Sequence, residues 1–246
     1  MADFRWAERV VSSSETAKDT VRLLVYGPPG AGKTYLMGTF PGLFVIDTDK
    51  GLRTLKDKDI PSIGLDEGGE TWNEMVDLAK RLKERAEPFD KYDVMTIGID
   101  SLSNLAELLL SDVMLRPPAG LARKVRTNSK PEWDHYDLVH KRMSSIVKRF
   151  RDIGLNVVAT AGVKVERDDV SGTYLGQPDI VGGYRHKVGH DFDEYFYMEP
   201  ETTGGKTHWY AYTTKFRYYQ AKSRDGRAPK IFDLTYDNLY GKDAKI

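Results

Sequence analysis

One short segment combines glycine, lysine and threonine at a spacing that suits phosphate binding. It is the run Gly27-Pro28-Pro29-Gly30-Ala31-Gly32-Lys33-Thr34. The pattern G-x-x-x-x-G-K-T is that of a P-loop, in which successive backbone N–H groups wrap a β-phosphate. Lys33 adds a cation at the β- and γ-oxygens, and Thr34 offers a hydroxyl to Mg²⁺. We therefore expect these residues, with Tyr35 directly after them, to bind ATP and Mg²⁺.

The residues on either side of this loop fit the strand and the helix that a P-loop connects. An apolar run at 21–26 precedes it, and Tyr35-Leu36-Met37 continue it as a helix would. A helix that begins near Lys33 points the positive end of its dipole at the bound phosphates. The alternative is a glycine turn between a strand and a helix that binds no ligand.

Two later apolar runs end in an acidic residue. Residues 43–47 end in Asp47, with Asp49 soon after, and residues 94–100 end in Asp100. Buried parallel strands read as continuous apolar runs, and open α/β sheets build their sites at the carboxyl ends of such strands. An acid in this place after a P-loop, the Walker B acid, holds Mg²⁺, usually through water. Thr34 and Asp100 are therefore the predicted metal-binding residues, and a helix N-cap role for Asp100 is compatible with this.

The composition limits the class of protein. The chain has 246 residues, and its 37 Lys and Arg balance 37 Asp and Glu, so contacts with nucleic acid must come from local patches. It has no cysteine, which excludes a disulfide scaffold or a thiolate metal site and fits the reducing cytosol. Because no apolar run has the length of a membrane span and no signal-peptide core begins the chain, we expect a cytoplasmic protein with no membrane partner.

The patterns divide the chain into a short arm and one domain. Residues 1–20 are polar after a short apolar start and predict a flexible arm, and residues 21–246 predict a single α/β domain. The predicted helices lie at 71–86, opened by a capping box at 71–74, at 101–114 and at 132–153. The predicted strands include 60–65, 155–161, 192–198, 207–214 and 218–222, with a strand or cover at 231–240. Residues 115–131 read as a basic loop, and residues 164–190 contain no clear element.

A segment after the second strand resembles RecA recombinases. The run Ile46-Asp47-Thr48-Asp49-Lys50-Gly51-Leu52 resembles their segment I-D-A-E-x-x-L, whose glutamate is the general base. Asp49 falls at that glutamate, so the resemblance implies that Asp49 activates the attacking water. Aspartate is one methylene shorter than glutamate, which would change the geometry of the base. The alternative is a solvated acid at a strand end.

A second resemblance to RecA-like ATPases lies near the C-terminus. The run Gln220-Ala221-Lys222-Ser223-Arg224-Asp225-Gly226 resembles the K-x-K or K-x-R on their last core strand. In that family the two cations reach the γ-phosphate of a neighbouring subunit and stabilise transition-state charge. Lys222 and Arg224 fall at these positions, and alternation along a strand would put both on one face. The alternative is a solvated basic strand edge.

The whole order of elements from 21 to 235 resembles the RecA-like core alone, most closely that of phage ATPases of the single-strand-annealing type. The form G-P-P-G-x-G-K-T also resembles the AAA+ class, but Ser101 stands where that class has a catalytic glutamate. The resemblance implies an α/β fold, a RecA-like P-loop NTPase core with a mostly parallel twisted sheet flanked by helices and antiparallel strands near the C-terminus. Where RecA relatives have a Gln or His that senses the γ-phosphate, the nearest residues are Thr160, Ala161 and Gly162, and Thr160 could serve as a weaker sensor.

The same resemblance implies partners. It implies binding of single-stranded DNA, because the segments 115–131 and 164–190 correspond to the two loops that line the DNA channel in RecA-like proteins. Alternatively, these segments are mobile surface loops. It implies a homo-oligomer, either a ring or a filament, in which the F-x-x-A motif Phe4-Arg5-Trp6-Ala7 docks onto a neighbouring subunit. The alternative is that Phe4 packs on its own domain. The resemblance further implies that the protein promotes annealing or strand exchange and has a single-strand DNA-binding protein as a further partner. It also implies a phage-encoded protein located in the cytoplasm of a bacterial host.

Two other functions stay open at this point. One is an ATPase motor or helicase loader that acts on duplex DNA or protein. The other is a nucleotide-switched binding module with little hydrolysis, which the aspartate at position 49 favours.

Overall fold

The computed structural model describes residues 20–118, 130–167, 169 and 171–241. Nearly all of the predicted arm at 1–20, and most of the predicted basic loop at 115–131, lie outside these residues.

Strands and helices alternate through the first part of the chain, and strands dominate its last part. The strands are β1 (Arg22–Tyr26), β2 (Leu43–Asp47), β3 (Ser62–Gly64), β4 (Thr96–Asp100), β5 (Asn156–Ala161), β6 (Val163–Arg167), β7 (Tyr174–Pro178), β8 (Glu194–Thr203), β9 (Lys206–Tyr212) and β10 (Lys230–Phe232). The helices are α1 (Lys33–Met37), α2 (Thr71–Glu84), α3 (Leu102–Leu115), α4 (Trp133–Ile153) and α5 (Tyr236–Tyr240). Short 3₁₀ helices lie at Leu52–Leu55, Phe89–Lys91, Gly182–His186 and Val188–His190.

Within the described residues, one large sheet has the strand order β10-β9-β8-β1-β5-β4-β2-β3. The strands from β8 to β3 in this order are parallel, and β9 and β10 continue the sheet antiparallel. This agrees with the predicted α/β fold, a mostly parallel sheet with antiparallel strands near the C-terminus. The parallel strands have their carboxyl ends at one edge, and this is where β1 leads into the P-loop.

Helices cover both faces of the sheet. Successive apolar side chains of its central strands point to opposite sides, so both faces must be buried. Leu24 of β1 packs in a core with α2, α3 and α4, and Leu23 packs in a second core with α1 and α5. On this second side, Gly98 of β4 leaves room for Met37 of α1, since a Cβ on Gly98 would lie 2.7 Å from the Met37 Sδ. The close approach packs α1, which directly follows the P-loop, against β4.

Several predicted elements have different bounds in the structure. The capping box at 71–74 is wrong, because Glu70 is the N-cap of α2, makes no capping hydrogen bond, and is followed by Thr71 as a buried first helical residue. Ser101 caps α3 instead, accepting a hydrogen bond from the backbone N–H of Asn104. Gly154 ends α4 with φ of 85°, as its position after the amphipathic run predicts.

The prediction of no clear element at 164–190 is also wrong. This segment contains the antiparallel hairpin of β6 and β7, followed by the 3₁₀ helices at Gly182–His186 and Val188–His190. The strand predicted at 218–222 forms isolated bridges, including one between Lys222 and Tyr195, and the run at 231–240 divides into β10 and α5. In the part of the chain that the structure describes, no helix is both long and apolar enough to cross a bilayer.

Candidate nucleotide-binding site

The P-loop joins the end of β1 to the start of α1, and its glycines have conformations that other residues avoid. Gly30 and Gly32 have φ of 78° and 81°, in the left-handed region. A Cβ on Gly27 would overlap the carbonyl oxygen of Met198 on β8. A loop of this shape leaves its backbone N–H groups uncovered by side chains, which is the requirement for holding phosphate.

Lys33 lies at the start of α1 with its ammonium group inside the loop. Its Nζ donates hydrogen bonds to the carbonyl oxygens of Gly27 at 2.9 Å and Pro28 at 2.8 Å. Burial lowers the pKa of Lys33, while the negative charges of Asp100 and Asp49 act in the opposite direction. The structure therefore brings the predicted phosphate-binding lysine and the two predicted acids into one electrostatic site.

Asp100 is buried at the end of β4, and both of its carboxylate oxygens accept hydrogen bonds from threonines. The Thr34 hydroxyl donates to Oδ2 at 2.9 Å, and the Thr160 hydroxyl, at the end of β5, donates to Oδ1. A hydroxyl and a carboxylate in contact are hard oxygen donors of the kind that Mg²⁺ takes in phosphate sites. The predicted pair of Thr34 and Asp100 thus fits a magnesium ion.

The Thr160 contact is one that sequence reasoning missed. The sequence suggested Thr160 as a substitute for the γ-phosphate sensor of RecA relatives, whereas its hydroxyl proton is engaged by the Asp100 carboxylate. Thr160 is fully buried and pairs in register with Val25 of β1, so its side chain lies beneath the acid on the same side of the sheet. The register of the strands could have suggested this, but the register is not readable from the sequence.

Asp49 follows β2 and is held by residues at the start of α3. The Ser101 hydroxyl donates to Asp49 Oδ1 at 3.2 Å. Thr48 joins the same two segments, because its Oγ1 donates to the Ser101 carbonyl at 2.9 Å and accepts from the Ser101 N–H at 2.7 Å. The Asn104 side chain donates to the Thr48 carbonyl. Ser101, which stands in the place of the glutamate of the AAA+ class, therefore orients a different acid.

The environment of Asp49 favours its protonated form more than water does. Although the residue is exposed as a whole, loss of hydration around its carboxyl raises the pKa, and the charge of Asp100 raises it further. The hydrogen bond from Ser101 acts in the opposite direction and lowers the pKa. A raised pKa makes Asp49 a stronger proton acceptor than an ordinary aspartate once it is ionised.

Lys222 and Arg224 lie elsewhere in the chain fold. Lys222 Nζ donates to the carbonyl oxygens of Gly189 at 2.5 Å and Phe192 at 2.8 Å. Arg224 forms an ion pair with Asp193, whose backbone N–H bonds the Arg22 carbonyl at the start of β1. Because the P-loop follows the other end of β1, one chain does not bring these cations to its own P-loop. Neither residue lies in a regular strand, so the expected alternation along a strand does not apply.

An aromatic residue that the sequence did not single out contacts the P-loop. Trp209 of β9 donates a hydrogen bond from its indole Nε1 to the Gly30 carbonyl at 2.9 Å. It lines a cavity of about 730 Å³ together with Tyr35, which was predicted as part of the nucleotide site. Only the pairing of β8 with β1 and β9 places Trp209 here, so its position in the sequence carries no local signal.

Comparison with known proteins agrees with this geometry. Residues 19–225 match the family model described as AAA domain. A search of curated proteins found no match. The matched region includes the P-loop, Asp49 and Asp100 and spans more than half of the chain. The chain therefore belongs to the AAA domain family of P-loop NTPases and is a nucleotide-binding protein.

Proposed function

We propose that the protein is a Mg²⁺-dependent ATPase that binds single-stranded DNA and promotes annealing or strand exchange. The observation that carries the ATPase part is the contact between Thr34 and Asp100, at 2.9 Å, beside the Lys33 ammonium. These three groups come from two separate elements and converge where the P-loop presents its N–H groups. Such convergence of a cation, a hydroxyl and an acid on one loop is what transfer or hydrolysis of a phosphoryl group requires.

Each residue of the site has a separate task in hydrolysis. Lys33 and the loop N–H groups neutralise and orient the phosphates. A magnesium ion held by Thr34 and Asp100 would neutralise charge on the β- and γ-oxygens. Asp49, with Oδ1 fixed by the Ser101 hydroxyl, orients water and accepts its proton.

A surface near the β6–β7 hairpin supports the DNA part of the proposal. The hairpin leaves the sheet at the edge that carries the P-loop, since β6 follows the carboxyl end of β5. Tyr174 is 55% exposed, and its ring lies 5.9 Å from that of Tyr218. Arg167, paired across the hairpin with Tyr174, and Arg217, next to Tyr218, are both exposed. An exposed ring against a half-buried one, with a cation next to each, suits the stacking of bases and the binding of phosphates.

Not every aromatic or basic residue in the segment 164–190 is available to DNA. Tyr184 is fully buried, with its hydroxyl bonded to Asp191, and Arg185 forms an ion pair with Glu166 at 2.7 Å. The proposed DNA surface is therefore smaller than the segment 164–190.

Contacts between this surface and the P-loop support a dependence of hydrolysis on DNA. Tyr26, the last residue of β1, donates from its hydroxyl to the carbonyl oxygens of Gln220 at 2.6 Å and Gly176 at 3.2 Å. Gly176 lies in β7, and Tyr26 is followed directly by Gly27. A ring-to-ring path continues from Tyr26 to the surface through Tyr197, Tyr219 and Tyr218, ending at Tyr174. Movement of the hairpin would therefore act on the residue before the P-loop.

Homo-oligomers, as a ring or filament, complete the proposed site. Lys222 and Arg224 would act on the nucleotide of a neighbouring chain, and a single-strand DNA-binding protein is a further proposed partner. The proposed docking motif at Phe4–Ala7 lies outside the described residues. If Arg224 acts in trans, Arg224→Ala leaves ATP binding intact and abolishes turnover, and unchanged turnover refutes the role.

The first experiment measures ATP hydrolysis with and without single-stranded DNA, using Lys33→Ala as the blank. We expect stimulation by single strands, and we expect Tyr174→Ala to remove it while leaving basal turnover unchanged. Tyr92→Ala is the matched control, because Tyr92 is a tyrosine of similar exposure, 46%, that follows the 3₁₀ helix at Phe89–Lys91. Annealing of complementary labelled oligonucleotides tests the last part of the proposal.

Other results would assign a different function. Stimulation by duplex DNA or by a partner protein, and not by single strands, would indicate a motor or a helicase loader. Tight ATP binding without turnover under any condition would indicate a nucleotide-switched binding module, and Asp49 would then not be a catalytic base.

A further inference from the structure

The cavity beside the P-loop has a second wall that phosphate binding does not explain. One side is made by residues of the loop and the start of α1, from Gly30 to Tyr35. The other side is made by β8, β9, the end of β10 and the segment after it, with Met198, Trp209 and Phe232 among its lining residues. Its volume of about 730 Å³ lies within the range of cavities that hold small ligands.

Trp209 contacts the loop by one edge, and part of its remaining surface is exposed. Its indole N–H donates to the Gly30 carbonyl at 2.9 Å, and its Cδ1 would lie 3.2 Å from a Cβ on Gly32. The residue is nevertheless 47% exposed. The ring is thus held in place by the nucleotide-binding loop while part of it is available to a ligand.

Two more exposed aromatic rings line the same cavity. Tyr35 is 52% exposed and Phe232 is 63% exposed. Exposed aromatic residues that gather in one concave place mark a binding site rather than scattered surface residues. Residues from Lys33 to Tyr35 line the cavity and also belong to the phosphate site, so one ligand can occupy both.

We propose that this cavity binds the base and ribose of the nucleotide whose phosphates the P-loop holds, and that Trp209 is the stacking surface for the base. The proposal rests on the nucleotide binding described above. Tyr35 and Phe232 form the flanking walls. Because stacking area is the main source of recognition here, the cavity favours purine over pyrimidine nucleoside triphosphates.

The bond from Trp209 to Gly30 also links the base to the loop. A base that stacks on the indole restrains the ring, and the ring holds the carbonyl of a P-loop glycine. Trp209 is therefore a binding residue for the base and a positioning residue for the loop, and two substitutions separate these tasks. Trp209→Phe keeps a ring and removes the N–H, whereas Trp209→Ala removes both.

The test compares the dissociation constants of ATP, UTP and inorganic triphosphate by calorimetry. For the unsubstituted protein we expect ATP to bind at least about tenfold more tightly than triphosphate, with UTP between them. Trp209→Ala should reduce this preference to about one, because ATP loses the stacking surface in addition to the support of the loop that both ligands lose. Trp209→Phe should keep most of the preference. Trp133→Ala, which alters a 76% exposed tryptophan on α4, should change neither constant.

Three results would contradict these proposals. If Trp209→Ala weakens ATP and triphosphate by the same factor, the tryptophan supports only the loop and the base lies elsewhere. If Trp209→Ala alters the oligomeric state in gel filtration and leaves the preference for ATP unchanged, the cavity is a contact between copies of the chain. If the unsubstituted protein binds neither ATP nor triphosphate, the proposed ATPase function itself fails.

Discussion

Replacing Thr160 with valine removes one hydroxyl from beneath Asp100 and keeps the shape of the side chain nearly unchanged. In the structure, Asp100 has its Oδ1 held by Thr160 and its Oδ2 held by Thr34. Both Asp100 and Thr160 are buried, so water does not readily replace the missing donor. The carboxylate would then be fixed by Thr34 alone, which must also serve the magnesium ion.

The size of the effect follows from the kind of bond that is lost. A hydrogen bond to a charged group contributes about 1.5–3 kcal/mol to stability. At about 2 kcal/mol, the melting temperature of a domain of this size falls by roughly 4–8 °C. If a free energy of similar size is lost from the transition state because Asp100 is less well oriented, the rate of turnover falls by about ten- to a hundredfold. Binding of ATP without Mg²⁺ does not use Asp100 and should change little.

The assay measures ATP hydrolysis at saturating Mg²⁺ and ATP binding with and without Mg²⁺. Thr160→Ser is the matched control, because serine keeps the hydroxyl and should retain most of the activity. A Thr160→Val protein that melts at the usual temperature and hydrolyses ATP at the usual rate would refute the view that Thr160 holds the acid. A loss of Mg²⁺-free ATP binding would instead support the earlier hypothesis that Thr160 senses the γ-phosphate.

Three further predictions follow from the geometry. Gly27→Ala should destabilise the fold by several kcal/mol, because its Cβ would overlap a backbone carbonyl. Gly30→Ala meets no atom within 4 Å and should cost only about 1–2 kcal/mol for its positive φ. Denaturant unfolding of both variants measures the difference. Asp49→Asn should abolish hydrolysis and spare ATP binding. Because partial burial raises the pKa of Asp49, the acidic limb of the plot of hydrolysis rate against pH should lie above the range of an ordinary aspartate. Ser101→Ala should move this limb to still higher pH, because it removes a hydrogen bond that lowers the pKa. Burial raises the pKa of Glu194 from 4.5 to about 7, against the charge of Arg227, which lowers it. The stability that this group contributes is therefore complete below pH 4.5 and is lost as the pH rises toward 7, a slope that Glu194→Gln should remove in pH-dependent melting.

The parts of the site that the sequence predicted are those with local signals. The P-loop has a fixed spacing, and β1, β2 and β4 are continuous apolar runs that end where acids begin. The sequence also predicted that Asp49 and Asp100 stand at the carboxyl ends of strands, where open α/β sheets build their sites, and the charge of Asp100 raises the pKa of Asp49, in agreement with this. These features depend on residues within a few positions of each other.

The parts that it did not predict depend on contacts between distant segments. The β6–β7 hairpin has only a short alternation of apolar residues, and its strands are held by Tyr26 and by the ring of Tyr219, which packs where a side chain on Gly176 would lie. Arg224 lies beside Asp193, which directly precedes β8 and forms an ion pair with this arginine. Neither contact has a pattern in the local sequence.

The register of the sheet is what unites the local and the distant parts of the site. In-register pairing of β2 with β4 aligns Asp47 with Asp100, and pairing of β1 with β5 places Thr160 beside Val25. A slip of one residue in β4 would turn Asp100 away from Thr34 and toward the helices on the other face, since neighbouring side chains point to opposite sides. The same argument applies to β9, where a one-residue slip would turn Trp209 away from the P-loop. The phosphate site and the proposed base site are therefore specified by the same hydrophobic pattern that selects the faces of the strands, and a substitution that weakens that pattern should impair nucleotide binding even where it touches no nucleotide.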